Sequence, residues 1–138
     1  MNSNIPLTLL GGLSPSQFMR RHWQKKPLLV RQAVPGFQSP LQWADLKRLA
    51  GQADVESRLI VQDGSDWRLR QGPLSASSFP ARRRRQWTFL VQGVNLLDDR
   101  INDFMRQFRF VPDARLDDLM ISWASDGGGV GPHFDSYD

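Results

Sequence analysis

A histidine and an aspartate near the end of the chain have the residue types and spacing of a metal-ligand pair. His133 and Asp135 are two positions apart, and alternate side chains of an extended segment point to the same side. The imidazole and the carboxylate could therefore reach one ion. They are two of the three ligands of the 2-His-1-carboxylate site, which holds non-haem Fe(II) and leaves positions open for co-substrate and O₂. We expect the third ligand to be a histidine beyond Asp138.

The segment before this pair is able to bend tightly. Residues 127–131 include four glycines, and Pro132 fixes the backbone directly before the histidine. A His-x-Asp triplet is common in proteins, so the composition also fits a structural glycine turn without a metal. From the chemistry of these residues alone, both interpretations stay open.

The same segment resembles a known family. Residues 127–138, GGGVGPHFDSYD, and residues 117–122, DDLMIS, are similar to the Jumonji-C-type, cupin-fold ribosomal oxygenases of bacteria. Shorter matches occur upstream in the same order, at residues 22–27, 57–59, 72–73 and 90–95. The similarity is greatest to members that hydroxylate an arginine of a ribosomal protein of the large subunit.

The resemblance implies the chemistry of the site. Fe(II) would be held by His133, Asp135 and the later histidine, and Ser122 matches a family position that contributes to binding the co-substrate 2-oxoglutarate. A serine hydroxyl suits a carboxylate because it donates a hydrogen bond without adding charge. The implied enzyme uses Fe(II), 2-oxoglutarate and O₂ to hydroxylate an arginine side chain of a ribosomal protein, which would be its partner together with a second copy of the chain in a homodimer.

The resemblance also implies the fold. We expect an α+β class, with N-terminal helices and strands leading into a double-stranded β-helix, the cupin or jelly-roll arrangement, truncated after the first metal-ligand motif. Residues 1–138 would be the N-terminal part of one catalytic domain. Within it, about 1–85 would form a helical and hairpin region and about 86–138 the start of the jelly-roll core.

Periodicity and turn residues predict the individual elements. They predict three helices, starting at Ser14, Ser39 and Asp98, of which the second ends before Gly51. They predict strands at 7–10, 28–30, 58–62, 67–70, 86–95 and 116–124. The strand at 86–95 is expected to be buried on one face. In the last strand, Ser122 is expected on the more polar face and Trp123 on the other.

Composition limits the classes of protein to which the chain can belong. The chain has 138 residues, 40% of them hydrophobic, which fits one domain with a core. The absence of cysteine excludes disulfides and thiolate metal sites. No apolar run approaches the ~18 residues of a membrane span, and the segment 7–13 is too short for a signal peptide. We therefore expect a cytoplasmic protein without a membrane partner.

Four consecutive arginines form the strongest charge run in the chain. Such a run usually marks a solvated loop. The alternative is a weak contact with ribosomal RNA, in which each arginine displaces counterions from phosphate. The formal charge of +4 is compatible with either explanation. The residues concerned are Arg82, Arg83, Arg84 and Arg85.

For several other candidate residues, a simple structural explanation is available as well as a functional one. Asp117 and Asp118 could pair with a substrate arginine or, equally well, with Arg115. Tyr137 shares the parity of the metal pair and is expected to line the pocket or to lie in the barrel core. His22 is the only other histidine, and its helical setting favours packing or a helix-end contact over metal ligation.

Two other functions are compatible with the sequence. The chain could be a non-catalytic cupin-like module that binds protein or RNA, with the glycine segment as a structural turn. It could also be a metal-dependent cupin enzyme, such as an isomerase, that does not use 2-oxoglutarate. The first alternative predicts that changes to His133 and Asp135 leave binding unaffected.

Overall fold

The computed structural model of the protein describes residues 3–135. In this range the helices are α1 (Pro15–Arg21), α2 (Trp43–Ala50) and α3 (Asp99–Met105), and the strands are β1 (Ser57–Asp63), β2 (Asp66–Gln71), β3 (Trp87–Val91) and β4 (Ile121–Ala124). Short 3-10 turns lie between them. The chain divides into two compact units, of which unit 1 contains residues 3–39, 107–116 and 135, and unit 2 contains residues 40–106 and 117–134. No helix in residues 3–135 is long and apolar enough to cross a membrane.

Unit 2 is built on a four-stranded antiparallel sheet with the strand order β2-β1-β3-β4. The first two strands form the predicted hairpin, in which Asp63 pairs with Asp66 and a two-residue turn lies between them. Gly64 begins that turn with φ 63°, a conformation that glycine adopts without strain. The predicted hairpin is therefore confirmed, and each of its two strands is one residue longer at either end than predicted.

One face of this sheet packs under α2 and forms the hydrophobic core of unit 2. Trp87, Phe89 and Val91 of β3 point to this face, and each is fully shielded from solvent. Leu46 and Leu49 of α2 are buried in the same cluster, as the amphipathic pattern predicts. Their burial removes apolar surface from water, which stabilises the packing of helix on sheet.

Unit 1 contains α1, whose start follows the predicted capping chemistry. The Ser14 hydroxyl accepts a hydrogen bond from the Gln17 amide at 3.2 Å, and the Gln17 side chain accepts one from the Ser14 amide at 2.9 Å. At the other end, the His22 ring stacks on Phe18 with centroids 6.1 Å apart, and Nδ1 lies 3.3 Å from the Pro27 carbonyl oxygen. The predicted packing and helix-end role of His22 is confirmed.

Two short strands predicted near the start of the chain are absent, so these predictions are wrong. Residues 7–10 close on themselves as a 3-10 turn, because the amides of Leu10 and Gly12 both donate to the Leu7 carbonyl. Residues 28–30 have no strand partner within residues 3–135, and Leu29 is 76% exposed. Apolar runs this short do not distinguish a strand from a turn.

Several boundaries also differ from prediction. The second helix begins at Trp43 rather than after Ser39, and the Asp45 carboxylate accepts a hydrogen bond from the Gln42 amide at 2.9 Å. The last strand is only Ile121–Ala124, because the Leu119 amide donates to the Asn95 side chain at 2.8 Å instead of to a strand. All five residues of β3 are buried, so this strand is covered on both faces rather than one.

The start of α3 provides a prediction about pH. Asp98 accepts hydrogen bonds from the Arg100 amide and guanidinium, and chiefly this side-chain contact lowers the pKa of Asp98 from 3.8 to about 2. Because this pKa is lower in the folded protein, the ionised carboxylate stabilises the fold at pH values above 3.8. The contribution is lost as the pH falls towards 2. Asp98→Asn keeps the cap acceptor but removes the charge.

We expect Asp98→Asn to be less stable than the unchanged protein at neutral pH, and the difference to disappear on acidification to about pH 2. Denaturant unfolding of both proteins at a series of pH values measures it. A stability difference that stays constant across the series would contradict the assignment.

Candidate functional site

The segment with the predicted metal ligands is attached to the start of β3. The Ser125 hydroxyl accepts a hydrogen bond from the Trp87 amide at 3.0 Å and donates one to the Trp87 carbonyl at 3.1 Å. The Gln86 amide donates to the Asp126 carbonyl at 2.9 Å, and the Gly128 amide donates to the Ser125 carbonyl at 2.8 Å. These bonds fix the direction in which the chain leaves β4.

Two glycines of this segment are required by their surroundings. A Cβ on Gly128 would overlap the Trp87 carbonyl oxygen and lie 2.9 Å from the Ser125 carbonyl oxygen. Gly131 has φ 78°, and a Cβ there would lie 3.4 Å from the indole of Trp67. The predicted bending of the segment is confirmed at Gly131. At Gly128 the need is different: the backbone must approach β3 closely.

His133 is exposed, and one of its ring nitrogens has a backbone partner. Nδ1 lies 2.9 Å from the Gly131 carbonyl oxygen. Because a carbonyl oxygen can only accept, Nδ1 carries the proton and the lone pair is on Nε2. Histidines that bind metals usually donate their second ring N–H in this way, which fixes the tautomer and the ring orientation. The contact with the Gly131 carbonyl is therefore compatible with the predicted role of Nε2 as a metal ligand.

Asp135 and Tyr137 are the other residues predicted for the metal pair and the pocket. Asp135 is exposed. Within residues 3–135, no group of three or more His, Cys, Asp and Glu side chains could hold a metal ion together. Tyr137 lies outside the described residues. The metal pair of His133 and Asp135 thus stays a prediction, with the tautomer of His133 as its structural support.

Ser122 is exposed on the sheet face opposite the core. It pairs with Leu90 of β3, and Leu90 pairs in turn with Arg58 of β1, so these three residues form one row across the sheet. On the other face of β4, Ile121 and Trp123 pack against the core of unit 2. The predicted alternation in the last strand is confirmed.

The face that carries Ser122 also has three buried polar atoms without a hydrogen-bond partner in residues 3–135. Side-chain alternation from Leu90 places Thr88 and Gln92 on this face beside Arg58, and the atoms concerned are Arg58 Nε, Thr88 Oγ1 and Gln92 Oε1. Buried polar groups nearly always have partners, and an unsatisfied one costs about 1–3 kcal/mol. We name Arg58, Thr88, Gln92 and Ser122 the polar face. Its orphan atoms indicate a place for a polar ligand or water.

Three members of the polar face, Arg58, Thr88 and Gln92, are not predicted from the sequence. A signal for Thr88 exists, since it is the polar residue between the aromatic residues Trp87 and Phe89 of a buried strand. Arg58 and Gln92 have no such signal, because their position depends on which strands are neighbours and in what register.

The acidic residues before β4 have a structural role at one position. The Asp118 carboxylate accepts a hydrogen bond from the Gly93 amide at 2.5 Å, at a point where Gly93 has φ 63°. This contact fixes a backbone turn rather than supplying a counter-charge. Asp117 is exposed.

The four arginines are all exposed in a loop, as predicted, and three of them also have partners. Arg84 binds Asp63 at 2.5 Å, Arg85 binds Asp126 at 2.8 Å, and the Arg82 guanidinium lies 5.4 Å from the centre of a Trp43 ring. Arg83 has no hydrogen bond or ion pair to any residue from 3 to 135. The predicted RNA contact is not tested by these observations.

Comparisons with known proteins give the family context. The family model of the JmjC domain matches residues 103–138. The chain is 40% identical over 121 residues to the ribosomal protein uL16 3-hydroxylase of Escherichia coli, covering 88% of this chain and 32% of that protein. It is 34% identical over 137 residues to a probable ribosomal oxygenase of Haemophilus influenzae, covering 99% of this chain and 34% of that protein.

Solved structures show the same relationship. A ribosomal oxygenase from Escherichia coli superposes with a TM-score of 0.82 and 38% identity, over 89% of this chain and 34% of that one. The same oxygenase in complex with cobalt and 2-oxoglutarate gives a TM-score of 0.80 at 38% identity, over 87% and 33%. The chain spans about a third of the length of the curated relatives it matches. The predicted α+β class with a JmjC, cupin-type relationship is confirmed, and the chain is homologous to the JmjC-type ribosomal oxygenases of bacteria.

Proposed function

We propose that the chain is part of the catalytic domain of an Fe(II)- and 2-oxoglutarate-dependent oxygenase that hydroxylates an arginine side chain of a ribosomal protein in the cytoplasm. Its relatives support the oxygenase class, since one is named for hydroxylation of ribosomal protein uL16 and a solved one holds cobalt and 2-oxoglutarate. Cobalt is a divalent metal like Fe(II), and we take it as a substitute for the iron of the proposed enzyme. The substrate protein, of the large ribosomal subunit, and the target arginine are part of the proposal.

The observation that carries the proposal is the contact between His133 and Gly131. With Nδ1 donating to the carbonyl, Nε2 is the ring nitrogen that would bind Fe(II), and Asp135 offers the carboxylate that the 2-His-1-carboxylate set requires. Imidazole and carboxylate are both ligands suited to this ion. The residues present therefore fit two of its three protein ligands.

The polar face supplies the complementary part of the site. Ser122 offers an O–H donor to a carboxylate of 2-oxoglutarate, and the orphan Arg58 Nε adds an N–H donor in the same row of the sheet. These donors orient the co-substrate and satisfy atoms that are otherwise unpaired. When bound, Fe(II) with 2-oxoglutarate supplies the activation of O₂, and the residues of this chain hold and position the reactants.

An anaerobic titration with Fe(II) and 2-oxoglutarate tests the proposal. We expect the visible charge-transfer band that arises when the keto acid chelates iron, and we expect His133→Ala and Asp135→Ala to abolish it because each removes a ligand. His22→Ala is the matched control, since that ring stacks on Phe18 in unit 1. Circular dichroism verifies that each variant is folded.

The outcomes separate the three functions. A band that depends on His133 and Asp135 but not on His22 supports the oxygenase. Metal binding that depends on the same pair without a band favours a cupin enzyme that does not use 2-oxoglutarate. Folded protein that binds neither metal nor keto acid contradicts the proposal and favours the binding module.

A further inference from the structure

A second candidate site lies in unit 2 on the core side of the sheet, away from the polar face. A cavity of about 490 Å³ opens between the β1–β2 hairpin and the loop around residues 77–84. Leu59 and Val61 of β1 and the ring of Phe79 form its apolar wall. Three arginines, Arg68, Arg70 and Arg84, line it together with Asp63 and the serines Ser77 and Ser78. We name this cavity the arginine pocket.

One carboxylate holds two of the three guanidinium groups. Asp63 binds Arg84 at 2.5 Å through one oxygen and Arg68 through the other. Each guanidinium has five N–H donors, so a single contact leaves most of them available. The bridge therefore places two arginines side by side at the pocket without using up their donors.

The third arginine has no counter-charge. Arg70 alternates with Arg68 along β2, opposite Leu59 and Val61 of β1, so both point to the core side of the sheet. It has no hydrogen bond or ion pair with any residue in the described range 3–135. Three arginines and one aspartate give the pocket a net charge of +2. An excess of donors with unbalanced positive charge is suited to an anion.

We propose that the arginine pocket binds a phosphate group. A carboxylate has two oxygens and pairs bidentately with one guanidinium, whereas a phosphate group has more oxygens to share among several. Arg70 and the remaining donors of Arg68 and Arg84 exceed what one carboxylate accepts. The Ser77 and Ser78 hydroxyls each lie 3.0 Å from Ser75 Oγ, which can donate to only one of them, so at most one of the two has a proton left for a ligand. Arg, Ser and backbone donors are also the usual partners of nucleic-acid phosphates.

Two sources of phosphate share this chemistry. One is the phosphodiester backbone of a single RNA strand, for which the unpaired Arg83 next to Arg84 would extend the contact. The other is a small phosphorylated molecule or inorganic phosphate. The site is distinct from the proposed iron site because Ser122 lies on the opposite face of the sheet, and phosphate binding is expected to survive His133→Ala.

Direct binding measurements on the 138-residue chain test this inference. The probes are a fluorescein-labelled oligouridine, followed by polarisation, and inorganic phosphate, followed by ³¹P line broadening. A labelled oligoglutamate peptide is the carboxylate probe. The variant is Arg70→Gln, and the matched control is Arg48→Gln, which removes the same charge from an exposed position on α2.

We expect Arg70→Gln to weaken binding of a phosphate probe by roughly tenfold, as for the loss of one charge-assisted hydrogen bond, and Arg48→Gln to change it less than twofold. If RNA is the source, Arg70→Gln also lowers the slope of log K against log salt by about 0.7. Binding of inorganic phosphate but not oligouridine, with the same dependence on Arg70, identifies the small-molecule source.

Two results would overturn the inference. The first is equal effects of Arg70→Gln and Arg48→Gln on every phosphate probe, which would reduce the binding to general charge attraction. The second is Arg70-dependent binding of the oligoglutamate peptide in the absence of phosphate binding, which would make the pocket a carboxylate site.

Discussion

Gly128→Ala is expected to destabilise unit 2 by about 2–3 kcal/mol, at the upper end of the usual cost of overpacking. The new Cβ would overlap the Trp87 carbonyl oxygen and lie 2.9 Å from both the Ser125 carbonyl oxygen and Thr88 Oγ1. Two of these three atoms are backbone oxygens, that of Trp87 in β3 and that of Ser125 directly after β4. Neither oxygen can move without weakening a hydrogen bond. The Trp87 carbonyl accepts from Ser125, and the Ser125 carbonyl accepts from the Gly128 amide.

Gly129→Ala is the matched control for this prediction. A Cβ on Gly129 has the Trp67 ring as its nearest neighbour at 3.7 Å, which is an ordinary contact, and the backbone there does not have positive φ. Urea unfolding of both variants measures the difference, and the control is expected within about 0.5 kcal/mol of the unchanged protein. Equal losses in the two variants would show that general stiffening of the glycine segment, rather than close approach to β3, sets the cost.

The backbone shift that Gly128→Ala would force is also expected to affect the proposed iron site. His133 receives its ring orientation from the Gly131 carbonyl, and Gly131 lies three residues after Gly128, whose backbone packs closely against the Trp87 carbonyl of β3. Under conditions where Gly128→Ala remains folded, the Fe(II) and 2-oxoglutarate band should be weaker than in Gly129→Ala. A band of full strength would mean that the orientation of His133 is independent of this attachment.

The elements that sequence predicted correctly are those with local causes. The β1–β2 hairpin follows from turn residues around Gly64, α1 from the capping box of Ser14 and Gln17, and the face of α2 from its apolar spacing. Of the predictions that failed, the strand at 7–10 gave way to a local 3-10 turn, whereas the strand at 28–30 depended on a distant partner. Residues 28–30 have strand-forming side chains, but no neighbouring strand pairs with them in the described range.

The residues of the candidate site also divide into those that the local sequence indicates and those that depend on distant partners. The types and spacing of His133 and Asp135 suggested metal chemistry, and family resemblance supplied Ser122 and the co-substrate. The polar face could not be found in this way, because Arg58 and Ser122 come into one row only through the pairing of β1 and β4 with β3. The pairing of Arg84 with Asp63 is likewise fixed by the hairpin rather than by the arginine run.

Trp87→Ala is expected to cost about 3–5 kcal/mol, the usual range for truncating a large buried aromatic residue. Trp87 is fully buried, and its ring lies 4.7 Å from that of Trp123 and 5.9 Å from that of Trp43, centroid to centroid. Its Nε1 also donates to the Arg84 carbonyl at 2.9 Å. Removing the side chain would leave a cavity in the core of unit 2 and would unpair that carbonyl. Thermal and urea unfolding measure the loss.

Trp67→Ala is the control, since Trp67 lies on the opposite sheet face and is 40% exposed, and it is expected to cost clearly less. If the two variants lost the same stability, the core side of the sheet would not be the main source of stability in unit 2. Trp87→Phe refines the comparison because it keeps an aromatic ring and loses only part of the packing together with the bond to Arg84.

Trp87 connects the two proposed sites by different atoms, which makes Trp87→Phe informative about both. Its side-chain Nε1 holds the Arg84 carbonyl beside the arginine pocket, whereas its backbone amide and carbonyl hold Ser125 ahead of the glycine segment. The substitution removes the first contact and keeps the second. We therefore expect weaker phosphate binding and an unchanged Fe(II) and 2-oxoglutarate band. Loss of the band with phosphate binding retained would mean that the packing of the indole ring, and not the backbone of β3, positions the segment that carries His133.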